Sequence, residues 1–327
     1  MRERLGRDDQ IGGATALTLE GGVRALRLRS CGGVDALVIA DRALDVAHCS
    51  YRGVPLVWHG PGPIVGPHPD AISTDEFNRT FFGGLLTTCG LDAFGPPGHD
   101  EFGSWGQHGH VNHYPADDLQ IAIDVESEDA FVRISGVVRQ GRLFGEHLRL
   151  ERTWTMPRDG SVLRLHDRVT NDGAAATPHM MLYHCNAGYP LLDEATRVSL
   201  TASSMRPRDA QAQAGIAQWD RGGPPQRGFK EQTFIHTAAA GDGGWAEARV
   251  ENAQLGLALA LRFRPEELPA CMTWRMLGVR DYVMAIEPAN CETIEGRIVA
   301  RERGTLPMLE PGESRDYHLE FHFLARR

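Results

Sequence analysis

Hydrophobic and polar residues alternate with a period of two along most of this chain. TALTLEGGVRALRLR (15–29) alternates on both sides of a Gly-Gly pair and predicts a hairpin. DALVIADRALDV (35–46) predicts a further extended segment. In LQIAIDVESEDAFVRISGVV (119–138), Ile121, Ile123 and Val125 alternate, a polar turn follows, and Val132, Ile134 and Gly136 resume. HLRLERTWTMPRDGSVLRLHDRVTNDG (147–173) repeats the design around PRDG. There Leu148 and Leu150 oppose Arg149 and Glu151, and Leu163 and Leu165 follow the turn. No long amphipathic window carries helix caps, and the strands lie too close together for βαβ units. The pattern predicts an all-β fold of large antiparallel sheets packed face to face, with few short helices and a single domain over residues 1–327. Residues 203–230, rich in Pro, Gly, Arg and Gln, read as a long excursion of the functional or mobile kind.

Composition narrows the partners. The 327 residues are 42% hydrophobic, enough for a large core, and the formal net charge is −9. Such a chain lacks the basic footprint that nucleic acid or an anionic membrane surface requires. The longest apolar run, LGLALALRF (255–263), is too short to span a bilayer. The opening MRERLGRDDQ carries charge without a following apolar stretch and reads as no secretory leader. Six widely spaced cysteines with no CxxC pair predict reduced thiols and a cytoplasmic location. Exposed edge strands make a homodimer an expectation.

Polar residues concentrate beside apolar strands in three places. In PHMMLYHCNAGYPLL (178–192), alternation sends His179, Met181 and Tyr183 to one face, and Met180, Leu182, His184 and Asn186 to the other. His184 falls at the strand's end, at the mouth of a sheet; the plain alternative is a buried histidine bonded to backbone. In WRMLGVRDYVMAIEPAN (274–290), Glu287 shares its face with Val283 and Ala285, opposite Tyr282, Met284 and Ile286. Buried there, its carboxyl would have a raised pKa suited to general-base work; solvated, it would simply end the strand at Pro288. Between residues 79 and 116 lie Arg79, whose fixed donors suit hydroxyls and carboxylates, and SWGQHGHVNHYPA, with His108, His110 and His113. On a strand, His108 and His110 could share a metal, but His113 would point away, and no carboxylate stands within the cluster. The expectation is no metal and no other cofactor.

YHCNAGYPLL resembles the second catalytic-histidine segment of the aldose 1-epimerases (galactose mutarotases). GQHGHVNHYPA resembles their His-Gly segment, and YVMAIEP their late Glu segment. The three occur in the family's order. GGLLTTCGL, RGVPLVW (52–58) and LPACMTWRMLG (268–278) are similar to a divergent bacterial branch of aldose-epimerase-like proteins, and the resemblance spans roughly residues 20 to 325. It implies a galactose-mutarotase-like β-supersandwich and a sugar substrate. It also implies His184 as general acid on the ring oxygen, Glu287 as general base on the anomeric hydroxyl, His108 polarising the ring region and Arg79 clamping hydroxyls. Asn186, Trp274 and Tyr282 join the expected sugar contacts. Glu231 and His236, in GFKEQTFIH, are candidates for the place of an Asp that mutarotases use on a sugar hydroxyl. The chain departs from the branch at His110, at His113 and in DRALDV (41–46), where Ala43 takes a glycine's place; the first two are therefore candidates for substrate choice. Two other readings share these residues: a non-catalytic carbohydrate binder, and an isomerase acting at another carbon with the same Glu/His pair. Cys185 is poorly placed as a nucleophile, because adjacent strand residues face opposite sides.

Overall fold

The computed structural model describes residues 4–69, 73–124, 131–158 and 160–325. Three antiparallel sheets carry most of the strand residues. The N-terminal sheet has five strands in chain order, Gly12–Thr18, Arg24–Ser30, Val34–Ile39, Asp45–Tyr51 and Val54–Pro55. The largest has eight, ordered Thr196–Leu200, Ala246–Asn252, Leu257–Phe263, Ser314–Ala325, Val162–Asn171, His147–Pro157, Phe131–Gly141 and Ala116–Asp124. A six-stranded sheet, Ala202–Pro207, Gln232–Ala238, Ala270–Leu277, Tyr282–Ala289, Leu182–Ala187 and Thr87–Cys89, holds the candidate site. A continuous apolar cluster draws on all three, with Leu28, Trp154, Phe321 and Tyr183 among its fully buried members. The expected all-β architecture is therefore present, and the α-helices among the described residues are short: Thr74–Thr80, Ala210–Gly215 and Arg297–Glu302.

The hairpin around Gly21–Gly22 forms, pairing Ala16 with Leu26. So does the pairing of His147–Pro157 with Val162–Asn171. Residues 35–46 differ from expectation. They are two strands broken by a turn, in which Ala43 and Leu44 take left-handed backbone at φ 52° and 57°. The amide of Ala43 donates to the Tyr114 carbonyl, so contact with the histidine segment overrides the local pattern. Ala43 thus occupies a conformation that favours glycine. The excursion at 203–230 is also partly regular. It holds an edge strand, then the helix Ala210–Gly215, whose first turn is capped by Asp209 accepting from the Ala212 amide. Val125, the polar turn after it and Asp159 of PRDG lie outside the described residues. LGLALALRF supplies the strand Leu257–Phe263, and no helix among the described residues is long and apolar enough to cross a membrane. The six cysteines are unpaired.

Candidate active site

Directly opposed residues of antiparallel strands share a face, so register dictates what meets. Leu182 pairs with Ala289 and Cys185 with Ile286, which sets His184 opposite Glu287. Across the next strand Trp274 pairs with Ala285, and beyond it Thr233 pairs with Trp274. His184, Glu287, Trp274 and Thr233 therefore project from one face. They line a cavity of about 160 Å³, closed at its sides by Phe77, Phe81, His108, Arg208 and Glu231. His184 Nε2 lies 3.4 Å from Glu287 Oε1, and both side chains are almost wholly buried. The edge of the His184 ring meets Phe81 at 5.2 Å and Trp274 at 5.6 Å between centroids.

His108 arrives from a loop, and its backbone explains the His-Gly pair. His108 and Gly109 are both left-handed, at φ 61° and 79°. A Cβ on residue 109 would sit 2.3 Å from the Ala93 carbonyl oxygen and 2.4 Å from that of Gly90, so only glycine fits. The His108 amide donates to Gly95 O, and the Gly95 amide donates to His108 Nδ1 at 3.4 Å. With Nδ1 accepting, the neutral ring carries its hydrogen on Nε2. The ring stands 5.9 Å from that of His184 and nearly perpendicular to it.

Burial governs the protonation of this cluster. It pushes the Glu287 carboxyl up to about 8, helped by the negative charge of Glu231 and opposed by Arg208. It pushes His184 down to about 3 and His108 down to about 4. At neutral pH these shifts favour a protonated Glu287 and two neutral imidazoles. Glu231 accepts from Arg208 Nη2 at 3.0 Å and from Trp274 Nε1 at 2.8 Å. Glu287 Oε1, His184 Nδ1 and Thr233 Oγ1 are buried without any hydrogen-bond partner in the protein. Most buried polar atoms in proteins are paired, so three unpaired atoms around one cavity point to a polar occupant.

The other predicted residues are spread more widely. Arg79 lies outside the cavity, on the exposed side of the helix Thr74–Thr80, paired with Asp75 one turn earlier at 2.8 Å. The pocket's guanidinium is that of Arg208. His236 has the opposite strand parity to Glu231 and Thr233, and bonds Thr273 Oγ1 at 3.0 Å on the far face. Tyr282 likewise faces away from Glu287, donating to the Gly223 carbonyl. Asn186 is buried behind His184, its amide donating to the carbonyls of His184 and Gly84. The left-handed turn at 108–109 splits the histidine cluster. His110 turns Nε2 toward the Ser104 carbonyl, and His113 is buried near Arg42. Among the described residues no three His, Cys, Asp or Glu side chains are placed to hold one metal ion.

Phe77, Asn78, Phe81, Gln107, Arg208 and Thr233 were not found from sequence. Thr233 had a usable signal, since period two carries Glu231 to Thr233 rather than to His236. Arg208 had none, because its approach depends on the capped turn that follows it. The loops that carry these walls are tied to Arg42. Its buried guanidinium donates to both the backbone carbonyl and the side-chain oxygen of Asn112, to Thr80 O at 3.2 Å and to Val65 O at 3.5 Å.

Solved structures of low sequence identity share the fold. A Klebsiella pneumoniae protein provisionally assigned as an aldose 1-epimerase superposes with a TM-score of 0.87 at 20% identity, over 99% of this chain and 89% of its own. A galactose mutarotase-like protein from Clostridium acetobutylicum gives 0.67 at 14%, over 97% and 100%. A galactose 1-epimerase from Lactobacillus acidophilus gives 0.63 at 12%, over 96% and 99%. No curated protein matches the chain. The architecture is thus the galactose mutarotase-like fold, and, with the family model matching residues 20–323, the chain belongs to the family described as a domain of unknown function (DUF4432).

Proposed function

We propose that this protein is a sugar mutarotase, interconverting α and β anomers by acid–base opening and closing of the ring. The observation that carries the reading is the buried His184–Glu287 pair, 3.4 Å apart at the base of a cavity with unpaired polar atoms. Ring opening takes a proton from the anomeric hydroxyl and delivers one to the ring oxygen, while the C1–O5 bond breaks and C1=O forms. Rotation about C1–C2 and reclosure on the other face return both protons. Both oxygens are bonded to C1, so two adjacent groups sharing one exchangeable proton suffice. Such catalysis contributes on the order of a hundred- to ten-thousand-fold.

Before reaction that proton sits on Glu287, whose buried carboxyl is pushed up to about 8. For His184 to act as acid on the ring oxygen and Glu287 as base, the proton first passes from carboxyl to imidazole across the 3.4 Å gap. Without that transfer the same pair works in the opposite sense, Glu287 donating and His184 accepting. His108 contributes a neutral Nε2–H toward the ring region. Thr233 Oγ1 and the Arg208–Glu231 pair meet the remaining hydroxyls.

Proton NMR of anomer exchange over a panel of aldoses, deoxysugars and acidic sugars tests this directly. We expect exchange above the uncatalysed rate for at least one of them; none on any sugar would sink the proposal. Deuterium uptake from solvent into carbon-bound positions would instead mark isomerisation at another carbon.

A further inference from the structure

Beside the inner cavity lies an outer cleft of about 660 Å³ lined by Trp58, Phe229, Lys230, Met276, Asp281 and Val283. The two share Asn78, Phe81, Glu231 and Trp274 as common walls. The space across these shared walls is larger than the one beside His184 and Glu287. Resting on the mutarotase reading above, we propose that this cleft is a second sugar subsite. The substrate class is then a neutral reducing disaccharide, with its reducing ring in the inner cavity and its second ring in the cleft.

Three observations select that occupant. The walls are aromatic, and Trp58 is fixed in place: its amide donates to Asn186 O at 3.1 Å and its carbonyl accepts from the Gly84 amide at 2.8 Å. Gly83, at φ 70°, lies against its ring so tightly that a Cβ there would come within 2.5 Å of Cε3. A flat rigid wall suits the C–H face of a pyranose. The rim is polar, with Asn78, Lys230, Glu231 and Asp281 available to hydroxyls, whereas a purely apolar substituent would leave them unused. Its charge gives an anion no net attraction, because the Lys230 ammonium is matched by the Asp281 carboxylate and Glu231 is paired with Arg208. The Arg208 guanidinium is already engaged by Asp209 and Glu231. Phosphorylated or acidic second groups are thereby disfavoured. Because C1 must reach the Glu/His pair, the link to the second ring leaves from the far side of the first, through O4 or O6.

The test compares anomer exchange of glucose with that of maltose (4-linked) and melibiose (6-linked), in the wild type and in Trp58→Ala and Phe229→Ala. We expect kcat/KM for one disaccharide to exceed that for glucose by tenfold or more, and each variant to lower that ratio at least fivefold. A wild-type ratio of one or below, or variants that leave the ratio unchanged, would overturn the subsite. Calorimetric binding of the same sugars separates this outcome from failure of the mutarotase reading. Disaccharide binding tenfold tighter than glucose and weakened in Trp58→Ala, without exchange on any sugar, would keep the subsite and reject the activity. Equal binding of all three sugars would reject the subsite.

Discussion

The strand Leu182–Ala187 separates two buried polar clusters that look alike in composition and differ in their bonding. Tyr183 faces one side, where Arg152 makes a paired contact with Asp167 at 2.8 and 2.6 Å and reaches Asp45 at 2.7 Å. Asp45 also accepts from the amide and hydroxyl of Thr88, and Tyr183 donates to Asp167. None of the three charged side chains is exposed. His184 faces the other side, where Glu287 Oε1, Thr233 Oγ1 and the second nitrogen of His184 have no partner. Burial of ionisable groups is common to both faces; what distinguishes them is whether the protein itself supplies the partners. The first cluster is finished as architecture, and the second is left with polar atoms that the protein does not pair.

The sharpest way to break that comparison is Glu287→Gln. Anomer exchange should fall by about a hundred- to ten-thousand-fold, with sugar binding retained by calorimetry. Retained exchange would place the chemistry elsewhere. Next comes Arg152→Met, which strands two buried carboxylates and should cost about 3–5 kcal/mol in urea unfolding. Glu287→Gln should not share that cost, and its sign can be worked out. The folded carboxyl titrates near 8, above its unfolded value, so its stabilising contribution is complete at low pH and is lost as pH rises toward 8. The Gln variant should therefore be the more stable protein at pH 9, by a margin that narrows toward pH 5; a loss at every pH would make the pair structural.

A third measurement sharpens the electrostatics. The wild-type kcat/KM should hold through neutral pH and fall above about pH 8, as the pair loses its one proton. In Glu231→Gln that fall should begin at lower pH, since removing the neighbouring charge and releasing Arg208 both ease ionisation of Glu287. An unmoved limb would show that Glu231 only holds its neighbours in place. The smallest effect belongs to Thr233→Val. Losing one hydrogen bond of about 0.5–1.5 kcal/mol should raise KM roughly two- to tenfold, while stability stays level, since no partner inside the protein is lost.

Period two made the sheets legible in advance, and it also held the information that sorts the site. Glu287 with Val283 and Ala285, and His184 with Leu182, follow from parity alone, and their meeting follows from register. Parity applied to GFKEQTFIH would have kept Thr233 and discarded His236. Arg79 was misleading because a guanidinium's reach hides which side of a helix it occupies; here the first turn of the helix, Asp75, claims it. The histidine cluster could not be resolved in advance, because a strand's alternation was assumed where the backbone turns left-handed at His108. Ala43 shows the same effect, its unusual conformation being imposed by a residue far away in sequence.

Arg42 gives the pocket a mechanical property. One guanidinium holds the carbonyl at the end of the Phe77 helix and those of the histidine loop, so the two walls are laced to a common peg on the N-terminal sheet. A pocket built this way resists gaping, and remodelling either wall would tug on the other.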